Sequence, residues 1–372
     1  MANILRSTVI GRPWRSRLAG EVRSIPMTSF GGLLRAIHGV ASEQTLAMPI
    51  LTLQGARALG QPLSIYLKEA SRLAEGQIAL KRRFPLDVVF AFPHPLEALL
   101  PWGTELAYRD DGPPVVARNP RGGLDELLAG PTPEAAGDPR LAGTLAAARA
   151  LAGTFTGELP VVGAVLGPFS LLALLLGKPA WRILLDTSPA ERMSHLPRAM
   201  ERLVSYTAGW AEAQRSAGCD LIMVYEPFTA ARELDEEIAL TCALPALASL
   251  LRRAPAPLGL CLPGHCMALL PHLRRLEFPI VAISAEESID CVRRALGATK
   301  ALLCGLDGAG MLTCSPEELE RKSRNILDLA GPGFILGSAE MELPWIVSDA
   351  QIDAVFRAAH ASREATIAGT QR

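Results

Sequence analysis

Short, unbroken runs of apolar residues alternate along the chain with longer stretches in which apolar and charged positions recur at helical spacing. The runs cover residues 48–52, 87–92, 161–166, 220–225, 257–261, 279–284, 299–304 and 333–337, each bounded by Gly, Pro or a polar residue. A run that is apolar throughout, rather than at every second position, predicts a strand buried on both faces, as in a parallel sheet. Between the runs, residues 189–217 carry Met193, Leu196, Met200, Leu203 and Val204 at helical spacing, which predicts an amphipathic helix. Residues 316–327 predict another, opened by Ser315 and Pro316, with Glu317 and Glu318 in the first turn, where the helix dipole favours acids. Strand followed by helix, repeated eight times, predicts an α/β chain folded as a closed (β/α)8 TIM barrel.

Two intervals need separate treatment. Residues 160–177 are nearly long enough and apolar enough to span a bilayer, but Gly163, Gly167 and Pro168 interrupt them and predict a buried strand, a tight loop and a buried helix. The interval between the second and third runs exceeds one helix. Its residues 109–137, rich in Pro, Gly and Asp, predict an excursion over the barrel mouth.

Composition narrows the class. The chain has 372 residues, 49% of them hydrophobic, enough to bury a large core. Its expected division is a basic N-terminal extension at 1–30, carrying Arg6, Arg12, Arg15, Arg17 and Arg23 against Glu21, and a single barrel domain at 31–372. A net charge of −1 with 20% charged residues lacks the basic footprint of a nucleic-acid binder. Seven cysteines without regular spacing do not make a disulfide framework, so a reducing cytoplasm is expected, with no membrane partner.

In a barrel, chemistry gathers where strands end and loops begin. Those positions hold Gln54, His94, Glu226, the Cys261-Leu-Pro-Gly-His265-Cys266 segment, Cys304, Asp307, Glu340 and Glu342. His94, Glu226 and Asp307 are the candidate catalytic groups. Cys261, His265, Cys304, Glu340 and Glu342, with Cys266 as an alternative to Cys304, are the candidate zinc ligands, since a catalytic zinc needs three protein ligands and one open position. Each has an ordinary alternative as well: a half-buried thiol, a loop histidine, a glutamate that caps a helix. Dinucleotide, Walker, serine-elbow and His-Glu-x-x-His signatures are absent from the sequence, which removes support for those chemistries. His38, His195, His272 and His360 fall in helical or helix-flanking sequence and are weaker candidates.

Several segments, in order and spacing, resemble the uroporphyrinogen decarboxylase superfamily: 33–39, 79–103, 161–170, 217–222, 305–318 and 333–337. Within it the chain looks nearest the methylcobamide:thiol methyltransferases of the coenzyme M type. The resemblance implies a (β/α)8 barrel, a corrinoid carried on a partner protein, a small thiol-type substrate and a zinc that activates the thiol; a homodimer is compatible with it. The match also has gaps. Where the decarboxylases carry an aspartate after the second strand, His94 follows Phe92 and Pro93, and their Arg-Gln-Ala-Gly-Arg motif has no counterpart. Aligned on Gly264, Cys261 stands at the methyltransferase histidine and Pro263 at its cysteine, while the last-strand cysteine falls near Glu340 to Glu342.

The expected activity is therefore corrinoid-dependent methyl transfer to or from a small thiol-type substrate. Two alternatives stay open: a non-catalytic binding or assembly subunit, and a decarboxylase or lyase acting on a small carboxylate other than uroporphyrinogen.

Overall fold

The computed structural model describes residues 28–38, 45–120, 122–229, 234–254, 257–285, 287–297, 299–331 and 333–370, with residues 70 and 362–370 described by backbone alone. Its strands, in chain order, are β1 (Leu46–Met48), β2 (Val89–Phe90), β3 (Glu105–Ala107), β4 (Val115–Arg118), β5 (Val161–Leu166), β6 (Leu221–Tyr225), β7 (Leu258–Leu262), β8 (Ile280–Ile283), β9 (Ala301–Gly305) and β10 (Phe334–Gly337). Eight of them form one parallel sheet in the order β1-β10-β9-β8-β7-β6-β5-β2, and β3 and β4 form a separate antiparallel hairpin. Each of the eight falls on or beside one of the apolar runs. Every residue of β5, β6, β7, β8 and β10 is buried, because helices cover the outer face and the strands' own side chains fill the inside. The fold is an α/β barrel of the TIM type.

Among the described residues no ladder pair joins β1 to β2, and buried side chains bridge that seam instead. Asp87 Oδ2 accepts from the Ala47 N–H at 2.8 Å. Gln77, fully buried, donates to the Leu51 carbonyl at 3.1 Å and accepts from the Phe90 N–H at 3.0 Å. A Gln77→Leu variant leaves that carbonyl and that amide buried without partners. It is expected to lose about 2–4 kcal/mol, since each orphaned group costs about 1–3 kcal/mol. Urea unfolding measures this, and a loss under about 1 kcal/mol would show that the seam closes without the glutamine.

Asp87 also ties the first and last described helices together. It accepts from Ser29 Oγ at 2.7 Å, in the Ser29–Ile37 helix, and lies 3.1 Å from His360 Nε2, in the Asp349–Thr370 helix. The Ser29–Ile37 helix starts inside the stretch assigned from sequence to the extension; the arginines at 6–23 lie outside the described residues. The apolar stretch at 160–177 divides as its glycines and proline predict, into β5, a turn at Gly167 and the Pro168–Asp186 helix. That helix breaks at Gly177, whose φ is +75°. Asn119, just beyond the hairpin, fits the break and donates to the Leu175 carbonyl at 3.2 Å.

Candidate active site

Loops at the carboxyl ends of β2, β9 and β10 bring four of the sequence candidates to one place. His94 is 3% exposed and caps the 3-10 helix Pro95–Trp102, accepting on Nδ1 from the Leu96 N–H at 3.2 Å. With the Nδ1 lone pair committed, the neutral ring carries its proton on Nε2. That nitrogen faces Glu342 Oε2 at 2.9 Å, across 248 residues of sequence. The glutamate loop is itself held in place. The Leu343 N–H donates to the Ile50 carbonyl at 3.0 Å, and Gln54 Nε2 donates to the carbonyls of Leu343 and Pro344 at 3.2 and 3.1 Å.

Asp307 and Glu340 complete the group. Asp307 is exposed and caps the short Gly308–Met311 helix, accepting from the Ala309 N–H at 3.1 Å. Glu340 packs over Gly308, where an added Cβ would lie 2.4 Å from Glu340 Oε2. Burial pushes the Glu340 carboxyl above its ordinary range, and the negative charges of Asp307 and Glu342 push it further. Below them lies Tyr225, fully buried, its ring edge-on to Phe92 at 6.3 Å and its backbone in register with Cys261. Tyr225 is not among the candidates drawn from sequence. Its signal was a hydroxyl closing an otherwise apolar strand.

Glu226 does not join this group. Its side chain is fully buried at the start of the Pro168–Asp186 helix. Oε1 accepts from the Phe169 N–H at 3.0 Å, and Oε2 accepts from the Ser170 N–H, Ser170 Oγ and Thr229 Oγ1 at 3.0, 2.6 and 3.1 Å. Burial raises its pKa to about 7 against the pull of these donors. Gly167 is required beside it, because a Cβ there would lie 2.1 Å from Glu226 Cγ. The geometry is that of a helix cap reached from the next strand.

The five zinc candidates separate. Cys261 lies within β7 rather than beyond it, fully buried, and burial holds its thiol well above its ordinary pKa. Cys304 lies within β9, with Sγ 3.6 Å from the Ser284 carbonyl and its pKa pushed up to about 11 by burial. Cys266 is likewise buried, its pKa pushed up to about 12. The side chain of His265 is 44% exposed and turns to Glu287 at 3.6 Å. Glu340 and Glu342 belong to the His94 group. Among the described residues no group of three or more His, Cys, Asp or Glu side chains is placed to hold a metal ion. Zinc bonding needs thiolates, neutral imidazoles or carboxylates converging on one point, so these separated side chains do not fit a zinc centre. The strand ends ran farther than the apolar runs implied, which drew the cysteines into the barrel wall.

The model for the uroporphyrinogen decarboxylase (URO-D) family matches residues 28–362. No curated protein matches in sequence. Among solved structures, a methyltransferase from Methanosarcina mazei superposes with a TM-score of 0.81 at 15% identity, over 90% of this chain and 99% of that one. A B12-independent methionine synthase from Shewanella sp. W3-18-1, in complex with selenomethionine, gives a TM-score of 0.53 at 12% identity, over 88% of this chain and 98% of that one. At such identities the likeness to these two structures is one of fold. The family match runs from the first described helix into the last, and by it the chain belongs to the uroporphyrinogen decarboxylase family.

Proposed function

We propose that the protein transfers a methyl group between a methylcobamide carried on a partner protein and a small thiol-type substrate at the barrel mouth. The observation that carries the reading is buried His94 paired with the half-buried Glu342, 2.9 Å apart, at the end of the barrel where this fold places its chemistry. Family membership and the fold of the Methanosarcina methyltransferase support it. Replacement of the decarboxylase aspartate by His94 argues against work on a porphyrinogen, whose pyrrole cation needs a carboxylate there. All seven cysteines are free thiols, in keeping with a cytoplasmic protein. One described helix, Pro168–Asp186, is long and apolar enough to cross a membrane, but half of its apolar window is buried in the barrel.

A methylcobamide supplies an electrophilic methyl group, and the chain's own residues prepare the acceptor. Glu342 takes the thiol proton as the sulfur–methyl bond forms, while the carrier keeps the electron pair of the bond that breaks. His94 Nε2–H fixes one carboxylate oxygen and leaves the other to the substrate. No zinc enters this scheme. An anaerobic assay with methylcobalamin and a thiol panel, followed by the absorbance change on demethylation, is expected to show thiol-dependent methyl loss, while uroporphyrinogen stays unchanged. Porphyrinogen turnover, or silence across the thiol panel, would overturn the reading.

A further inference from the structure

Asp307, Glu340 and Glu342 form the acidic edge of the mouth, and among the described residues none of them is ion-paired with Lys or Arg; His94 is the one basic partner, on Glu342. Burial raises the Glu340 carboxyl, and the charges of Asp307 and Glu342 add to it. Acidic side chains alone do not make a binding site, but buried oxygens on the segment tied to the glutamate loop, and on β6, also lack partners. Thr52 Oγ1 and Gln54 Oε1, on residues 0% and 1% exposed, accept no hydrogen bond from the described residues. Both follow β1 on the segment that the Leu343 N–H and Gln54 Nε2 tie to the glutamate loop. Tyr225 Oη, on a fully buried residue within the field of Glu342, rests against the Cys261 thiol without a well-aligned hydrogen bond. Buried oxygens left unsatisfied cost stability, and a ligand rich in N–H donors with a positive charge would supply what both the oxygens and the acids lack.

We infer that the small substrate carries an organic ammonium group, seated against Asp307 and Glu340 with its N–H donors toward Gln54 and Tyr225. This rests on the methyl-transfer reading and narrows its thiol to an aminothiol. The ammonium is the recognition handle, and the thiol remains the group deprotonated by Glu342. An anionic thiol is repelled from the same edge.

Titration calorimetry without any methyl donor tests this on the full chain, with cysteamine, mercaptoethanol and mercaptopropionate as a cationic, neutral and anionic series. Cysteamine is expected to bind at least about tenfold more tightly than mercaptoethanol, with mercaptopropionate weakest, and the preference should shrink as salt is raised. Glu340→Gln combined with Asp307→Asn should abolish the preference; Asn still caps the Gly308–Met311 helix, and an unchanged urea midpoint shows that the fold is kept. Equal or tighter binding of the neutral or anionic thiol overturns the inference, as does a preference that survives in the double variant, or no binding by any of the three. Because no methyl donor is present, cysteamine binding without methyl transfer would count against the transfer reading alone. Methyl transfer to mercaptoethanol without a cysteamine preference would count against the ammonium alone.

Discussion

Glu226→Leu is expected to cost more than about 4 kcal/mol or to prevent folding, in the range reserved for a few severe mechanisms. The substitution leaves two backbone N–H groups and two hydroxyls, now served by one carboxylate, buried without an acceptor at about 1–3 kcal/mol each. Glu226→Gln keeps the shape but turns an NH2 toward donors, and about 2–4 kcal/mol should be lost. The parent should also show a pH signature. Burial raises the folded-state pKa to about 7 from an ordinary 4.5, so between those values the folded protein holds a proton that the unfolded chain has released. Stability contributed by this group is therefore complete below pH 4.5 and is lost as pH rises towards about 7. Glu97, buried against Thr144 and raised to about 8, acts in the same direction over a slightly wider window. Glu226→Gln should remove its own share of the slope and leave that of Glu97. Urea midpoints at pH 5 and pH 8 measure both. A well-folded Glu226→Leu protein, within about 1 kcal/mol of the parent yet inactive, would return Glu226 to the catalytic group and refute the capping role.

The barrel was legible because a strand buried on both faces has to be apolar throughout, and eight such runs are hard to produce by other means. The β3–β4 hairpin was not, since its strands are short and largely exposed and carry no strong pattern. The same physics explains what was seen of the site. His94, Asp307, Glu340 and Glu342 are polar residues just beyond apolar runs, and position alone marked them. The pairing of His94 with Glu342 is hidden in the sequence, because nothing in it shows that the loops after β2 and β10 meet at the β1–β2 seam. Cys261 and Cys304 fall one residue short of the strand ends: β7 continues to Leu262 and β9 to Gly305, and a thiol inside the ladder faces packing rather than solvent. Glu226 shows the limit most clearly. A glutamate after a strand is the same letter whether it serves as acid or cap, and only the helix N-terminus that it reaches decides between them.

Glu342→Gln is expected to lower kcat for thiol methylation by about 10²–10⁴-fold, the usual contribution of a positioned acid–base group, while the protein melts close to the parent. The amide oxygen can still accept from His94 Nε2–H, so the contact at 2.9 Å survives and only the ability to take a proton is lost. His94→Ala should differ in kind. It removes the Nδ1 acceptor that caps Pro95–Trp102 as well as the donor to Glu342, so about 1–2 kcal/mol of stability should go with the activity, in the range of a lost cap. His94→Asn separates the two effects: its side-chain oxygen can cap Leu96, restoring stability, but it is too short to hold Glu342, so turnover stays low. Since Glu342 is the group that touches substrate and His94 acts through it, the double variant should be no slower than Glu342→Gln alone. Steady-state kinetics and thermal melts on the four proteins decide the matter. If Glu342→Gln turns over within a few-fold of the parent, or if the two losses multiply, the pair does not act as one unit and the proton leaves the thiol by another route.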